Sequence, residues 1–288
     1  MSNINFFRVL QSGGFGGSSG GEIDWDDFTL SKTSPNLSVV AIDLDVNPDQ
    51  TEIFFAPNST KRIDVYDFDT TGDVSDGFTF STTGTTLNKH VHGFQFNPTG
   101  TKVFGIFRES LAGAVTGIYQ YNLTTAWDTS TMSSTQDEYV AFSTLDSNIG
   151  TVTRRSFAID EDGLNIYFSA GSSGGGNVYL YKLPLSTAFD LSSYGTIVSE
   201  DTNSTTQLSI VSFSYNSSKY ITFTKPALSG RILKDGIEIP GDQVDSQNNL
   251  GNKAYIGKTP DNTTFFGLIN TNPGSGFVSV VYQFTTSF

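Results

Sequence analysis

Five loose copies of one nine-residue pattern, each flanked by short apolar–polar alternations, predict an all-β protein: a five-bladed β-propeller closed by its own N-terminal strand. The copies are "VNPDQTEIF" from Val46, "FNPTGTKVF" from Phe96, "IDEDGLNIY" from Ile159, "YNSSKYITF" from Tyr215 and "KTPDNTTFF" from Lys258. Their starts lie 50, 63, 56 and 43 residues apart, near the spacing of propeller blades and too long for a solenoid turn. Composition agrees, with 24 Phe and 12 Tyr against two Met and two Trp, and with 29 Gly. Such a balance favours strands joined by turns.

Each copy supplies a strand, a turn and a second strand. A third alternation follows in every unit: "IDVYDF" from Ile63, "IYQYNL" from Ile118, "VYLYKL" from Val178, "RIL" from Arg231 and "VVYQF" from Val280. A fourth precedes each copy, as "FTL" at Phe28, "FTF" at Phe78, "YVAF" at Tyr139, "TIV" at Thr196 and "IEI" at Ile237. One strand is therefore spare at the start and one is wanting at the end. Phe28 to Leu30 is expected to complete the last sheet, which removes an open edge and gives every sheet two neighbours.

In the first strands the bulky residues fall on one parity: Ile42, Leu44 and Val46; Phe94 and Phe96; Phe157 and Ile159; Phe213 and Tyr215. The other parity is mostly small or polar, so large faces pack against small ones. Asp43, Asp45 and Tyr255 break this pattern. "RILKDGIEIP" carries Asp235-Gly236, the pair suited to a two-residue hairpin. In "LTTAWDTS" and "LPLSTAFDLSS" the Asp after the aromatic is expected to cap a turn with its side chain.

Residues 28–288 form the propeller domain on this reading. Residues 1–27 form a flexible N-terminal arm, with "QSGGFGGSSGGE" as linker. Phe6, Phe7, Val9 and Leu10 are its anchor candidates, because ordering the arm costs on the order of 1–2 kcal/mol per residue and needs a partner to offset it.

The net charge of −13 and pI near 4.4 argue against nucleic acid as a partner. With no cysteine there is neither a disulfide framework nor a thiolate metal site. No basic leader followed by an apolar run opens the chain, and no stretch approaches eighteen apolar residues, so neither a secretory signal nor membrane insertion is expected. HExxH, GxSxG, P-loop and dinucleotide motifs are absent, and His90 and His92 are the only histidines. Glycoside hydrolysis needs an acid and a base flanking the scissile bond. Asp43 and Asp45 are the only acids on a first strand, with no well-placed third. "DEDGLN" from Asp160 resembles half a calcium loop but stands where a sister unit has "NPTG", so a hairpin turn explains it, and no metal or cofactor is expected. His90, His92, Arg154, Arg155 and Lys253 all stand at or just before the start of a first strand. They are the binding candidates at one mouth of the channel, for an anionic sugar or a carboxylate, unless structural pairing occupies them.

"FNPTGTKVF" with "GIYQYNLTTAWDTSTM", and "IDEDGLNIYF" with "NVYLYKLPLSTAFDLSS", resemble the repeat of β-propeller proteins from bacteriophages, marine phages especially. The resemblance implies a non-enzymatic virion structural protein, tail- or fibre-associated, assembled in the host cytoplasm. The arm would contact other virion proteins and the ring a host-surface glycan or receptor. Two alternatives stand beside it: a free carbohydrate-binding lectin that stacks Trp127 or Phe189 on sugar rings, and a glycoside hydrolase.

Overall fold

A computed structural model describes residues 28–37, 39–109, 115–146, 149, 157–171 and 178–204, and beyond these the strands given below. The architecture is all-β and antiparallel. After β1 (Phe28–Thr33), the first sheet holds β2 (Ala41–Val46), β3 (Glu52–Pro57), β4 (Asp64–Thr70) and β5 (Asp73–Thr82). A second holds β6 (His90–Phe96), β7 (Lys102–Arg108), β8 (Val115–Asn122) and β9 (Glu138–Ala141). A third holds β10 (Phe157–Ile159), β11 (Asn165–Gly171), β12 (Val178–Pro184) and β13 (Val198–Ser204). A fourth holds β14 (Ser209–Tyr215), β15 (Ser218–Lys225), β16 (Ser229–Lys234) and β17 (Ile237–Ile239). The fifth departs from chain order: β18 (Ala254–Lys258), β19 (Thr264–Thr271), β20 (Val278–Thr286), then β1, with Phe28 opposite Thr286 and Thr33 opposite Tyr282. The first strands β2, β6, β10, β14 and β18 are neighbours in that order, and β18 also lies beside β2.

The turn inside each repeated nonapeptide explains why the pattern recurs. The Oδ1 of Asn97 accepts from the backbone N–H of Thr101 and Lys102, each at 2.9 Å. Asn47 accepts from Glu52 N–H at 2.9 Å, and Asp160 from Asn165 N–H at 2.8 Å, at the same place in their units. One buried side-chain acceptor thus fixes the start of the second strand in these three units. The calcium-like "DEDGLN" is such a turn.

Alternation then divides the side chains between two faces. Phe54 packs toward the second sheet with Phe94, Phe96, Phe107 and Tyr121, while its neighbour Phe55 packs toward the fifth with Leu44, Phe266 and Leu268. Phe104, Ile106, Phe157, Phe168 and Tyr181 fill the space between the second and third sheets. Each fully buried Phe contributes roughly 1.5–3 kcal/mol.

Polar side chains stitch the same seams. Gln120 Oε1 accepts from Leu191 N–H at 2.9 Å, joining the second sheet to the third. Gln283 Oε1 accepts from Val74 N–H at 3.3 Å and its amide donates to Gly72 O at 3.0 Å, joining the fifth sheet to the first. The two glutamines are equivalent by register, since Gln120 faces Phe104 and Gln283 faces Phe266.

Three expectations shift in detail. Ile42 does not share a side with Leu44 and Val46, because an irregularity between Ala41 and Asp43 turns it toward the second sheet. Phe142 leaves the strand read as "YVAF" to begin a short helix, α1 (Phe142–Leu145), and packs on Phe168. The fourth strand of the third unit begins at Val198 rather than Thr196. Asp235 and Gly236 lie outside the described residues; Lys234 and Ile237 are opposite one another in the β16–β17 register. Phe6, Phe7, Val9 and Leu10 lie outside the described residues.

Candidate functional site

The inner strands β2 and β6 carry the buried polar side chains that sequence reading singled out. Asp43 and Asp45 point from β2 at β6. Asp43 Oδ2 accepts from Phe94 N–H at 2.7 Å and Oδ1 from Leu44 N–H at 3.0 Å. Asp45 repeats the arrangement two residues on, accepting from Phe96 N–H at 2.8 Å and Val46 N–H at 2.9 Å. Gln95, which aligns with Asp45, accepts from Ile159 N–H at 2.9 Å across the next seam. These groups break the small-residue parity because they satisfy the N–H groups of an inner strand that has no sheet partner on that side. Removing such an acceptor costs about 1–3 kcal/mol.

Asp43 is also a titration device. Burial raises its pKa well above the usual 3.8, against the two backbone donors, and the Asp45 charge adds to the rise. The folded chain therefore holds a proton that the unfolded chain loses near pH 3.8. This carboxyl contributes stability that is full below that value and is lost as pH rises through the higher folded value. Asp43→Asn has no such titration, although it loses one acceptor. Its melting temperature relative to the parent should therefore improve from roughly pH 4 to pH 8; a gap that stays constant across that range would contradict the raised pKa.

His90 and His92 lie at the starting end of β6 and are 9 % and 4 % exposed. Burial is the first cause of the lowered His90 pKa; Lys61 and Arg108 push it further down and a hydrogen bond to the Thr60 backbone opposes them. Arg108 stands opposite His90 in the β6–β7 register, and its Nη2 donates to Asn58 Oδ1 at 3.3 Å. Lys61 donates to Asn88 O at 3.4 Å. The structure thus brings two of the five mouth residues together and adds Lys61 and Arg108. Sequence reading passed over these two because they end and follow second strands rather than begin first ones. Arg154, Arg155 and Lys253 lie outside the described residues.

Trp127 and Phe189 do not stand free for sugar stacking. Trp127 packs on Gly100 and between Phe54 and Phe96, with ring centroids 5.8 and 5.0 Å away; Phe189 packs on Gly163 and on Phe104 at 6.2 Å. The following Asp caps a turn in each case: Asp128 Oδ1 accepts from Ser130 N–H at 3.0 Å and Asp190 Oδ1 from Ser192 N–H at 3.1 Å. Asp73 does the same for Ser75 at 2.9 Å. "DVS" in the first unit is the signal for this third cap, and it lacks the aromatic that made the other two visible.

Four-stranded antiparallel sheets, stitched face to face along their inner strands, define the class: a β-propeller fold. Solved structures that share it include two variants of exo-β-1,3-galactanase from Phanerochaete chrysosporium determined with β-1,3-galactotriose. Their TM-scores are 0.56 and 0.54 at 10% and 11% identity, over 89% and 88% of this chain and 64% of theirs. An engineered GH43 glycoside hydrolase with endo-xylanase and exo-arabinofuranosidase activity aligns at TM-score 0.49 and 12% identity, over 84% of this chain and 49% of that one. The chain thus spans about half to two thirds of the length of these neighbours. No family model and no curated protein sequence matches the chain.

The galactanase neighbours correct two expectations, a non-enzymatic chain and a phage structural protein. Both followed from the resemblance of the repeat, and the missing catalytic motifs only agreed with them. Glycoside hydrolysis leaves no local motif, because its carboxylates are defined by their separation across the sugar rather than by spacing along the chain.

Proposed function

We propose that this chain is a carbohydrate-active β-propeller of five blades that takes a glycan at the end where β6 begins. The observation that carries the reading is the polar corner of His90, His92, Arg108, Asn58 and Lys61 at that end of an otherwise aromatic core. Sugar hydroxyls both donate and accept, and imidazole, amide and guanidinium groups held by strands suit them. The galactanases of the same fold act on carbohydrate, which agrees with this class of ligand.

Two features support the five-blade ring. The fifth sheet borrows β1 from the start of the chain, and Gln283 joins the fifth sheet to the first as Gln120 joins the second to the third.

The test is to offer β-1,3-galacto-, xylo- and arabino-oligosaccharides together with acidic oligosaccharides, following binding by calorimetry and released sugar by chromatography. Binding or cleavage of at least one class is expected, weakened by His92→Ala. Neither binding nor cleavage with any class overturns the reading.

A further inference from the structure

The entry to β6 is tied to the first sheet through one turn, Asn58 to Lys61, which lies between β3 and β4. Leu87 N–H donates to Lys61 O at 2.7 Å, Lys61 Nζ to Asn88 O at 3.4 Å and Arg108 Nη2 to Asn58 Oδ1 at 3.3 Å. His90 adds a fourth tie, a hydrogen bond to the backbone of Thr60. Ile63, Leu87 and Val91, close to these residues in the chain, belong to the buried core shared by the first two sheets. The turn thus stands at the edge of that core.

His90 is nine-tenths buried, and its Nδ1 has no hydrogen-bond partner among the described residues. The bond to the Thr60 carbonyl therefore uses the proton on Nε2, and Nδ1 carries the lone pair of a neutral ring. A second proton does not suit this place. It would make Nδ1 a buried donor without an acceptor in this arrangement, and it would set a positive charge beside Lys61 of the turn and Arg108 of β7, both of which act on the ring. His92 stands two residues further along β6. The acids of this corner are engaged with other cations, Asp64 with Arg62 at 2.7 Å and Glu109 with Lys89.

We propose that His90 is an acid-sensitive latch: its neutral ring holds the Asn58–Lys61 turn of the first sheet against the start of β6, and protonation opens that seam. The latch does not depend on which ligand the chain takes. In the open seam the ring is solvated and titrates near its ordinary 6.5, whereas burial first, and then Lys61 and Arg108, hold it lower in the closed one. Closure is therefore at full strength above pH 6.5 and is lost as pH falls from there toward the lower closed value. Asp43 has the opposite sign, because its contribution is lost as pH rises, so the two titrations are separable.

Hydrogen exchange of the full chain, read by mass spectrometry at about pH 7.5 and about pH 5.5 with the intrinsic pH dependence of exchange removed, tests the latch. Opening of segments 57–63 and 87–92 should rise by up to about tenfold on that drop, the limit for one proton taken up by the open form over about one pH unit below its titration. β11 and β12 should change by less than about twofold, since they lie away from the seam. His90→Gln keeps an amide donor for Thr60 and cannot titrate, so the rise should vanish; in Lys61→Gln it should shrink. A rise that persists in His90→Gln, or that is equal in every sheet, overturns the latch. Ring NMR of the unmutated chain gives a reading that does not depend on the variant's folding: His90 and His92 are the only histidines, and His92→Gln tells their signals apart. His90 should titrate below 6.5, and titration at or above that value overturns the latch as well.

Discussion

Deleting Phe28–Thr33 is expected to lower the melting temperature by more than about 10 °C. In the fifth sheet, β1 covers the edge of β20. Along that edge Ser31 Oγ donates to Gln283 O at 2.9 Å, and the run continues with Ser34 N–H to Val281 O and Leu37 N–H to Ser279 O, both at 2.8 Å. Five backbone register pairs disappear with the strand. At about 1 kcal/mol for each net hydrogen bond, the loss is on the order of 5 kcal/mol, a large share of the roughly 5–15 kcal/mol that holds a domain together. A change of 1 kcal/mol moves a chain of this size by about 2–4 °C. The contrast is Lys32→Ala, which keeps the strand and removes only the ion pair to Asp73. That pair, together with Ser75, holds the Asp73 carboxyl down at about 2, yet Asp73 is solvated. This variant should therefore return the Asp73 titration toward 3.8 while leaving the melting temperature nearly in place. Scanning calorimetry of both variants decides the matter. A deletion that melts within about 3 °C of the full chain would mean that β1 closes nothing.

The strands were legible because alternation is local. "FNPTGTKVF" carries its own buried acceptor, turn and apolar faces, and the same logic let weaker copies such as "KTPDNTTFF" be placed. What joins one sheet to the next was mostly hidden. Asp43 and Gln283 act on backbone N–H groups in another sheet, 51 and 209 residues away, and a backbone donor leaves no residue type to search for. Asp43 and Asp45 thus read only as exceptions to a parity rule. The candidate site was half legible: first-strand starts converge on one end, which located His90 and His92. Arg108 and Lys61 join them only through the β6–β7 register and the seam between sheets. Function was the least legible, since a propeller draws a site from side chains on different blades and missing motifs say little.

The second large effect concerns the opening of the repeat's turn. Gly100, Gly163 and Gln50 occupy one position in three units, with φ of 68°, 69° and 57°. Their carbonyls accept from Trp127, Phe189 and Gly72 respectively, at 2.9, 3.0 and 3.0 Å. A side chain is present on only one member of each pair. A Cβ on Gly100 would lie 2.3 Å from the Trp127 indole, and one on Gly72 would lie 2.6 Å from the Gln50 side chain. The turn therefore tolerates bulk on either side of the contact but not on both. Gly100→Gln should cost about 2–5 kcal/mol, combining the left-handed backbone with the collision. Trp127→Gly alone should cost about 3–5 kcal/mol through the cavity left between Phe54 and Phe96. Together they recreate the Gln50–Gly72 pair of the first sheet, so the double variant should be more stable than the sum of the two losses by about 1–3 kcal/mol. Urea unfolding of the four proteins measures this coupling. Strict additivity would show that the two positions do not share space, and the account of why this glycine recurs opposite an aromatic would fail.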